Sequence, residues 1–277
     1  MRCAPEIRTI VGTIGELPSL SRTYTVLTDA VKNLSTSISE VAEIIGRDVA
    51  MSAKVLQLVN NAFFGLAHKV SNVQNAVAHL GMETIQNLAL ASEAFRVFVP
   101  DSRIPQTFYE SMQRHAQRTA AIAAALPVER RDRDATVVAA LLHDIGSLIL
   151  TSKMPDKFCS AQSLAKEQGC KVFEVEQELL GTSHAEIGSY LLGLWGIPSL
   201  AVEAVAHHHY PTRIPHSGFD CTVAVYVADL LAHELDAQPQ GATGLEIDKS
   251  DRVCLETLGV LPRFAEFREL AAARCRD

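Results

Sequence analysis

Residues Val137–Leu150 read VVAALLHDIGSLIL, a run in which only His143, Asp144 and Ser147 are polar. A helix this apolar is buried on most sides, and an unpaired carboxylate there costs several kcal/mol. Asp144 therefore needs a cation, a metal or strong donors. Asp229 raises the same demand, enclosed by Val225, Val227, Leu230 and Leu231 in FDCTVAVYVADLLAHEL. Neighbouring positions on one helix point about 100° apart, so His143 and Asp144 cannot both face one ion squarely. A pair of metals meets that geometry: one takes the imidazole and the carboxylate bridges to a second.

Outward from this stretch the chain reads as helical throughout, and no strand alternation competes. Leu20, Tyr24, Leu27, Val31 and Leu34 recur at helical spacing between Ser19 and Leu34. Ser37 stands three residues before Glu40, a capping box that opens a second helix with Val41, Ile44 and Ile45 inward. VAMSAKVLQLVNNAFFG is a third helix stopping at Asn60, Asn61 and Gly65. Leu80-Gly81 splits the apolar stretch Val73–Phe95 into helix, turn, helix. A DNA-reading helix-turn-helix does not fit there, because residues 72–95 hold no Lys or Arg for phosphate contacts. Further helices are expected over Tyr109–Leu126, Asp134–Leu150, His184–Leu194 and Phe219–Leu235. Another, capped by Ser199, carries the run His207-His208-His209. Asp236–Asp251 reads as a loop, followed by two short helices ending at Arg274. VPDSRIPQ, residues 99–106, marks the boundary between a helical lobe over 1–103 and a second over 104–277.

With 32 acidic against 25 basic residues among 277, the net charge of -7 is a poor match for phosphate backbones, and no nucleic acid is expected as a partner. Six scattered cysteines without a C-x-x-C pair argue against a zinc ribbon or a disulfide framework. No uncharged run approaches the ~20 apolar residues of a membrane span, and the N-terminus lacks the apolar core of a secretory signal. The expectation is a cytoplasmic protein with no membrane partner.

A lone histidine in a helix is more often a satisfied core or surface residue than a ligand, and His68, His79, His216 and His233 are read that way. His115 alone would be too. Together with His143-Asp144, His184, the triple histidine and Asp229, it becomes part of a ligand set. Mixed imidazole and carboxylate ligation suits Zn, Mn, Fe or Ni better than Ca.

The series of one His, a His-Asp doublet, another His, a His-His pair and a late Asp resembles the metal-dependent phosphohydrolases of the HD superfamily. More closely, LPSLSRTYTVL, DVAMSAKVLQLVNNAFFG, VSNVQNAVAHLGMETIQNLAL, LLHDIGSLIL and HAEIGSYLLGLWGIPSLAVEAVAHHH resemble the HDOD domain, the HD-related output domain of bacterial signalling proteins, over about residues 17–233. The resemblance implies an all-α fold, with an N-terminal helical lobe packed on an HD-like helical bundle. It implies metal ligands at His115, His143, Asp144, His184, His208, His209 and Asp229, with His207 at a packing position. One or two divalent ions are implied, with Fe, Mn, Zn, Ni and Mg all open.

HDOD proteins as a family are regarded as regulatory modules that have often lost several of these ligands; this chain keeps them all. It departs from the cyclic-di-GMP phosphodiesterase relatives, the HD-GYP proteins, at Ser147, where they carry a lysine, and keeps only His-Tyr-Pro of their second motif. Two functions follow as expectations. One is a signalling output module that binds a partner protein or small ligand. The other is a phosphohydrolase in which Asp144 bridges two ions. A third reading leaves the site purely structural. Lys153 and Arg213 could contact phosphate from loops, but solvated surface charge is the reading preferred for both.

Overall fold

The computed structural model describes residues 20–60, 68–99, 101–237 and 247–275. Among the described residues all regular structure is helical, as the periodicity predicts. The chain divides into two compact units, one spanning Glu16–Val99 and the other lying within Pro100–Asp277.

The first unit contains α1 (Arg22–Lys32), α2 (Ile38–Gly46), α3 (Val49–Val59), α4 (Val73–Leu80) and α5 (Met82–Val97). Ser21 caps α1 by accepting the Tyr24 N–H at 3.2 Å, and Tyr24 and Leu27 are buried. Leu34 is fully exposed instead of joining that face. The helix has ended at Lys32, and extended Asn33 (φ -88, ψ 114) swings the chain off the helical register. The expected capping box forms at α2: Ser37 Oγ accepts the Glu40 N–H at 3.2 Å and the Glu40 carboxylate accepts the Ser37 N–H at 2.7 Å. Asn60 terminates α3 and exchanges two hydrogen bonds with the Val70 backbone, at 2.8 and 2.7 Å. Asn61 and Gly65 lie outside the described residues. Gly81 breaks α4 from α5 with φ 84, a left-handed conformation that favours glycine. α5 packs on α1, α3 and α4. Its buried Glu93 is paired by Arg96, at 3.0 and 2.7 Å, and accepts the Ser21 N–H at 3.1 Å.

The second unit contains α6 (Gln106–Ala125), α7 (Arg133–Leu142), α8 (Ile145–Lys153), α9 (Pro155–Gln168), α10 (Val172–Leu180), α11 (His184–Leu194), α12 (Ser199–His207), α13 (Cys221–Ala237), α14 (Lys249–Thr257) and α15 (Phe264–Arg274). α6, α7 and α13 pack against one another, α12 packs on α7, α11 and α13, and α8 packs on α11.

Four details of the second unit differ from the sequence expectation. The helix expected over Asp134–Leu150 is two helices, α7 and α8, with His143 and Asp144 at the break. The triple histidine does not sit within one helix: α12 ends at His207, because the residue before Pro211 is disfavoured in the helical region and Tyr210 adopts φ -132, ψ 62. Ser199 is the first residue of α12 and makes no capping bond; Pro198 precedes it. The fourth difference is the segment Asp236–Asp251, which is loop only in part. α13 runs on to Ala237, and Asp248 caps α14 through the Asp251 N–H at 2.8 Å.

By length and composition, Arg133–Lys153 is the one helical stretch among the described residues that would suffice to cross a membrane. Its most apolar window is 78% buried inside the fold, which makes it a core segment. Among the described residues, Cys159, Cys170, Cys221, Cys254 and Cys275 form no disulfide.

The crossing of α8 and α11 is built from glycine. A Cβ on Gly146 would lie 1.9 Å from the His184 carbonyl oxygen, and one on Gly188 would lie 2.9 Å from the Gly146 nitrogen. At Gly146 all the near neighbours are His184 backbone, with no side chain able to yield; at Gly188 the Ile145 Cγ2 methyl also lies at 2.9 Å. Gly146→Ala should destabilise the protein by about 3 kcal/mol, seen as a fall of roughly 6–12 °C in melting temperature. A change of under about 2 °C would show that the crossing can open without penalty.

Candidate metal centre

The break at His143-Asp144 and the end of α12 use the same local device. A helix leaves its last carbonyls without intrahelical partners. Just past α7, His143 donates its Nδ1–H to the Ala140 carbonyl at 2.7 Å; just past α12, His208 donates its Nδ1–H to the Val205 carbonyl at 2.7 Å. Each bond fixes the ring and turns the other nitrogen, Nε2, inward. Both Nε2 atoms are buried and neither has a hydrogen-bond partner. The carboxylate oxygens nearest His143 Nε2, on Asp144 and Asp229, stand 3.5 Å away. Each unsatisfied buried nitrogen costs about 1–3 kcal/mol, so two converging in one site fit an electrophile between them and the carboxylates.

The donor atoms fall into two groups, His115, His143 and Asp229 in one, and Asp144, His184, His208 and His209 in the other. His115 Nε2 lies 2.9 Å from Asp229 Oδ1. His184 Nε2 lies 3.2 Å from Asp144 Oδ1 and 2.8 Å from His209 Nε2, with His208 Nε2 at 3.8 Å from the same Asp144 oxygen. Asp144 divides its carboxylate between the groups: Oδ2 faces His143 and Oδ1 faces His184 and His208. All seven expected residues are thus brought together. His207 belongs to neither group.

The electrostatics follow from burial opposed by pairing. Burial disfavours charge on His115, yet Asp229 and Asp236 outweigh it and lift its pKa to about 10. Burial likewise opposes, and Glu176 with Asp144 overcomes, in holding His184 well above its ordinary value. His208 goes the other way: burial, reinforced by repulsion from His143, pushes it down to about 3. His209 is lowered by burial and by its neighbours His208 and His184. Burial also opposes ionisation of Asp144 and Asp229, but the surrounding imidazoles hold both carboxyls well below the usual range.

Several residues of the site carried no sequence signal. Glu176 on α10 takes both the Nδ1–H of His184, at 2.6 Å, and its backbone N–H, at 2.8 Å. Asp236 bonds His115 Nδ1 at 2.8 Å and pairs with Arg118. Phe173 stacks on His209 with ring centroids 3.9 Å apart and fixes that ring. His233, read above as a bland surface residue, is exposed as expected, yet its ring lies 4.2 Å from that of His115 and its Nε2 3.4 Å from Asp229 Oδ1. Its spacing of four from Asp229 on one helix face was the available clue. His216 is satisfied by Asp220 and the Pro211 carbonyl, as expected, and His68 and His79 are exposed.

The centre opens into a cavity of about 710 Å³, within the size range of small-ligand sites. Its walls include Phe108, Met112, Phe173, Tyr226 and Leu230, and its cations are Arg114 and Lys171. Lys153 and Arg213 do not line it; Arg213 lies over the Tyr210 ring at 3.8 Å. Lys171 is committed to Asp251, at 2.8 and 2.7 Å, and to Asp248 at 3.1 Å. Arg114 has no carboxylate partner among the described residues.

Residues 17–211 match the HDOD domain. The chain belongs to the HDOD family. Among curated proteins it is 26% identical, over 213 residues, to an uncharacterized protein of Treponema pallidum (strain Nichols). The match takes in 75% of this chain and only 40% of that protein's length. Among solved structures, an HDOD domain protein of unknown function from Geobacter sulfurreducens superposes with a TM-score of 0.70 at 22% identity, covering 97% of this chain and 92% of that one. A candidate phosphohydrolase from Shewanella amazonensis SB2B superposes with a TM-score of 0.67 at 24% identity, covering 96% of each chain. At these identities the structural likeness establishes the HDOD helical fold alone.

Proposed function

We propose that this HDOD protein is a regulatory output module whose second unit holds two divalent transition-metal ions and takes a small anionic ligand in the adjoining cavity, signalling its state to a protein partner. The observation that carries the reading is the pair of buried Nε2 atoms of His143 and His208, which have no hydrogen-bond partner and face the shared carboxylate of Asp144 at 3.5 and 3.8 Å. A hydrogen-bond network that served only to hold helices together would satisfy its own buried atoms. Imidazole and carboxylate donors suit Mn, Fe, Zn or Ni. Arg114 is the cation free to meet an anionic ligand, since Lys171 is neutralised by Asp248 and Asp251.

A second reading, phosphoester hydrolysis, is favoured by the division of Asp144 between the two groups, which is the arrangement a two-ion site needs. Ions bound there would supply Lewis acidity toward a phosphoester and an activated water at neutral pH. The chain's own part is to hold them with Asp144, to keep His208 and His209 unprotonated by burial, and to seat the rest of the ligand between Phe173, Met112 and Arg114.

Plasma mass spectrometry of the chain, purified anaerobically without chelator and reconstituted with Fe or Mn, should give about two ions per chain. Fewer than about half an ion after reconstitution would end both readings. Nucleotide and phosphoester panels, scored for thermal stabilisation and for phosphate release, then separate them. Stabilisation without turnover supports the module, and turnover supports the hydrolase.

A further inference from the structure

The two halves of the centre are supported by carboxylates of very different character. Glu176 is fully buried, and a single oxygen of it accepts both the imidazole N–H and the backbone N–H of His184, while its other oxygen, Oε1, is buried without a partner. Its charge is therefore directed almost wholly at His184. The backbone bond has a local cause: His184 is the first residue of α11, whose N–H lacks an intrahelical acceptor. Asp236 holds His115 from the equivalent side, but its side chain is 36% exposed and its second oxygen is shared with Arg118. A carboxylate that is solvated and paired with a guanidinium polarises an imidazole less than one shut in a low-dielectric interior.

We propose that Glu176 and Asp236 are unequal positioning residues: Glu176 makes the Asp144–His184–His208–His209 half the tight ion site, and Asp236 leaves the His115–His143–Asp229 half as the exchangeable one. The proposal rests on the two-ion reading above. Each carboxylate acts through the histidine it holds, by fixing the ring so that Nε2 faces the ion and by raising its basicity as a ligand. The two sites then differ without any difference in the number of imidazoles being decisive. The exchangeable half is also the one beside the exposed His233, which lines the cavity.

The test is a titration of the metal-free full-length chain with Mn2+, counting free ion by its paramagnetic resonance signal. Wild type should show two classes of site. Glu176→Gln, which keeps an acceptor but removes the charge, should weaken the tight class about 10–100-fold and leave the weak class in place; Asp236→Asn should weaken only the weak class. In a His209→Ala background, which lacks a ligand of the tight half, Glu176→Gln should have little further effect while Asp236→Asn keeps its full effect. A structural role would not produce that selectivity. In the Zn2+-loaded chain, the His184 Nδ1 proton should resonate far downfield, as befits a short bond to a carboxylate, and move upfield in Glu176→Gln. Should Glu176→Gln not fold, the half-exposed Asp236 tests the scheme alone, since Asp236→Asn weakening both classes equally would overturn it. Two wild-type sites of equal affinity, or Glu176→Gln shifting both classes together, would overturn the positioning proposal while leaving two-ion binding intact. A wild-type chain that takes up no Mn2+, Fe2+ or Zn2+ would instead remove the reading beneath it.

Discussion

Asp144→Ala should empty both halves of the centre at once, taking metal content from about two ions per chain to below about half an ion. No other residue of the set has this reach, because only Asp144 presents one oxygen to each group. His209→Ala, by contrast, removes a donor from one group and should leave close to one ion. The fold should survive Asp144→Ala: the side chain is 28% exposed to the cavity, and the break between α7 and α8 is held by the His143–Ala140 bond. Plasma mass spectrometry beside a circular-dichroism melt checks both halves of the statement. Retention of one ion by Asp144→Ala would mean that the carboxylate belongs to a single site and does not bridge.

The second large effect is on pH. In the metal-free chain His115 is protonated up to about pH 10, and His184 is raised as well. An ion needs the deprotonated nitrogen, so binding at neutral pH must release at least one proton in each half. Apparent affinity should then rise about tenfold per pH unit for each proton released, or roughly 100-fold per ion between pH 6.5 and 8.5. Calorimetric titration at pH 7 in buffers of different ionisation enthalpy measures the protons directly, and a release of none would contradict the raised pKa values of His115 and His184.

Stability carries the matching sign. The folded pKa of His115 lies above its unfolded value of about 6.5, so its contribution is complete below that pH and is lost as pH rises through about 10. His208 is depressed to about 3, so its contribution is present above about pH 6.5 and is lost as pH falls toward 3. The metal-free chain should accordingly be most stable between these limits, and bound metal should remove the alkaline loss.

Much of this site was legible because several of its polar residues are set in strongly apolar stretches of sequence, where a polar residue is conspicuous. Asp144 and Asp229 stood out by that contrast alone, and the 100° argument for His143 and Asp144 anticipated their division between two groups. The argument assumed a continuous helix, however, and the chain breaks at that point. Hydrophobic periodicity does not register a single non-helical residue when both flanks are equally apolar, and Gly146 was the only hint of interruption. Glu176, Asp236 and Phe173 were invisible for a different reason. Glu176 and Phe173 lie on α10, whose sequence, VFEVEQELL, looks like an ordinary charged helix, and Asp236 falls where a polar loop was expected. A carboxylate that works by facing a histidine from another helix has no neighbour in sequence to betray it. Leu34 shows the opposite error, a helical pattern continued past the residue where the helix ends.

The glycine crossing of α8 and α11 bears on how this protein tolerates change. A contact between side chains can be retuned, since one partner shrinks while the other grows. At Gly146 there is nothing to trade, because it faces only the His184 backbone, so the separation of the two backbones is fixed at that point. Asp144 and His184 are measured from that constant, one just before Gly146 and the other making the contact itself. Changes in side chains elsewhere on the two helices can therefore be absorbed by rotamers without moving Asp144 or His184, and the calibration of the site is kept by a residue that has no side chain at all.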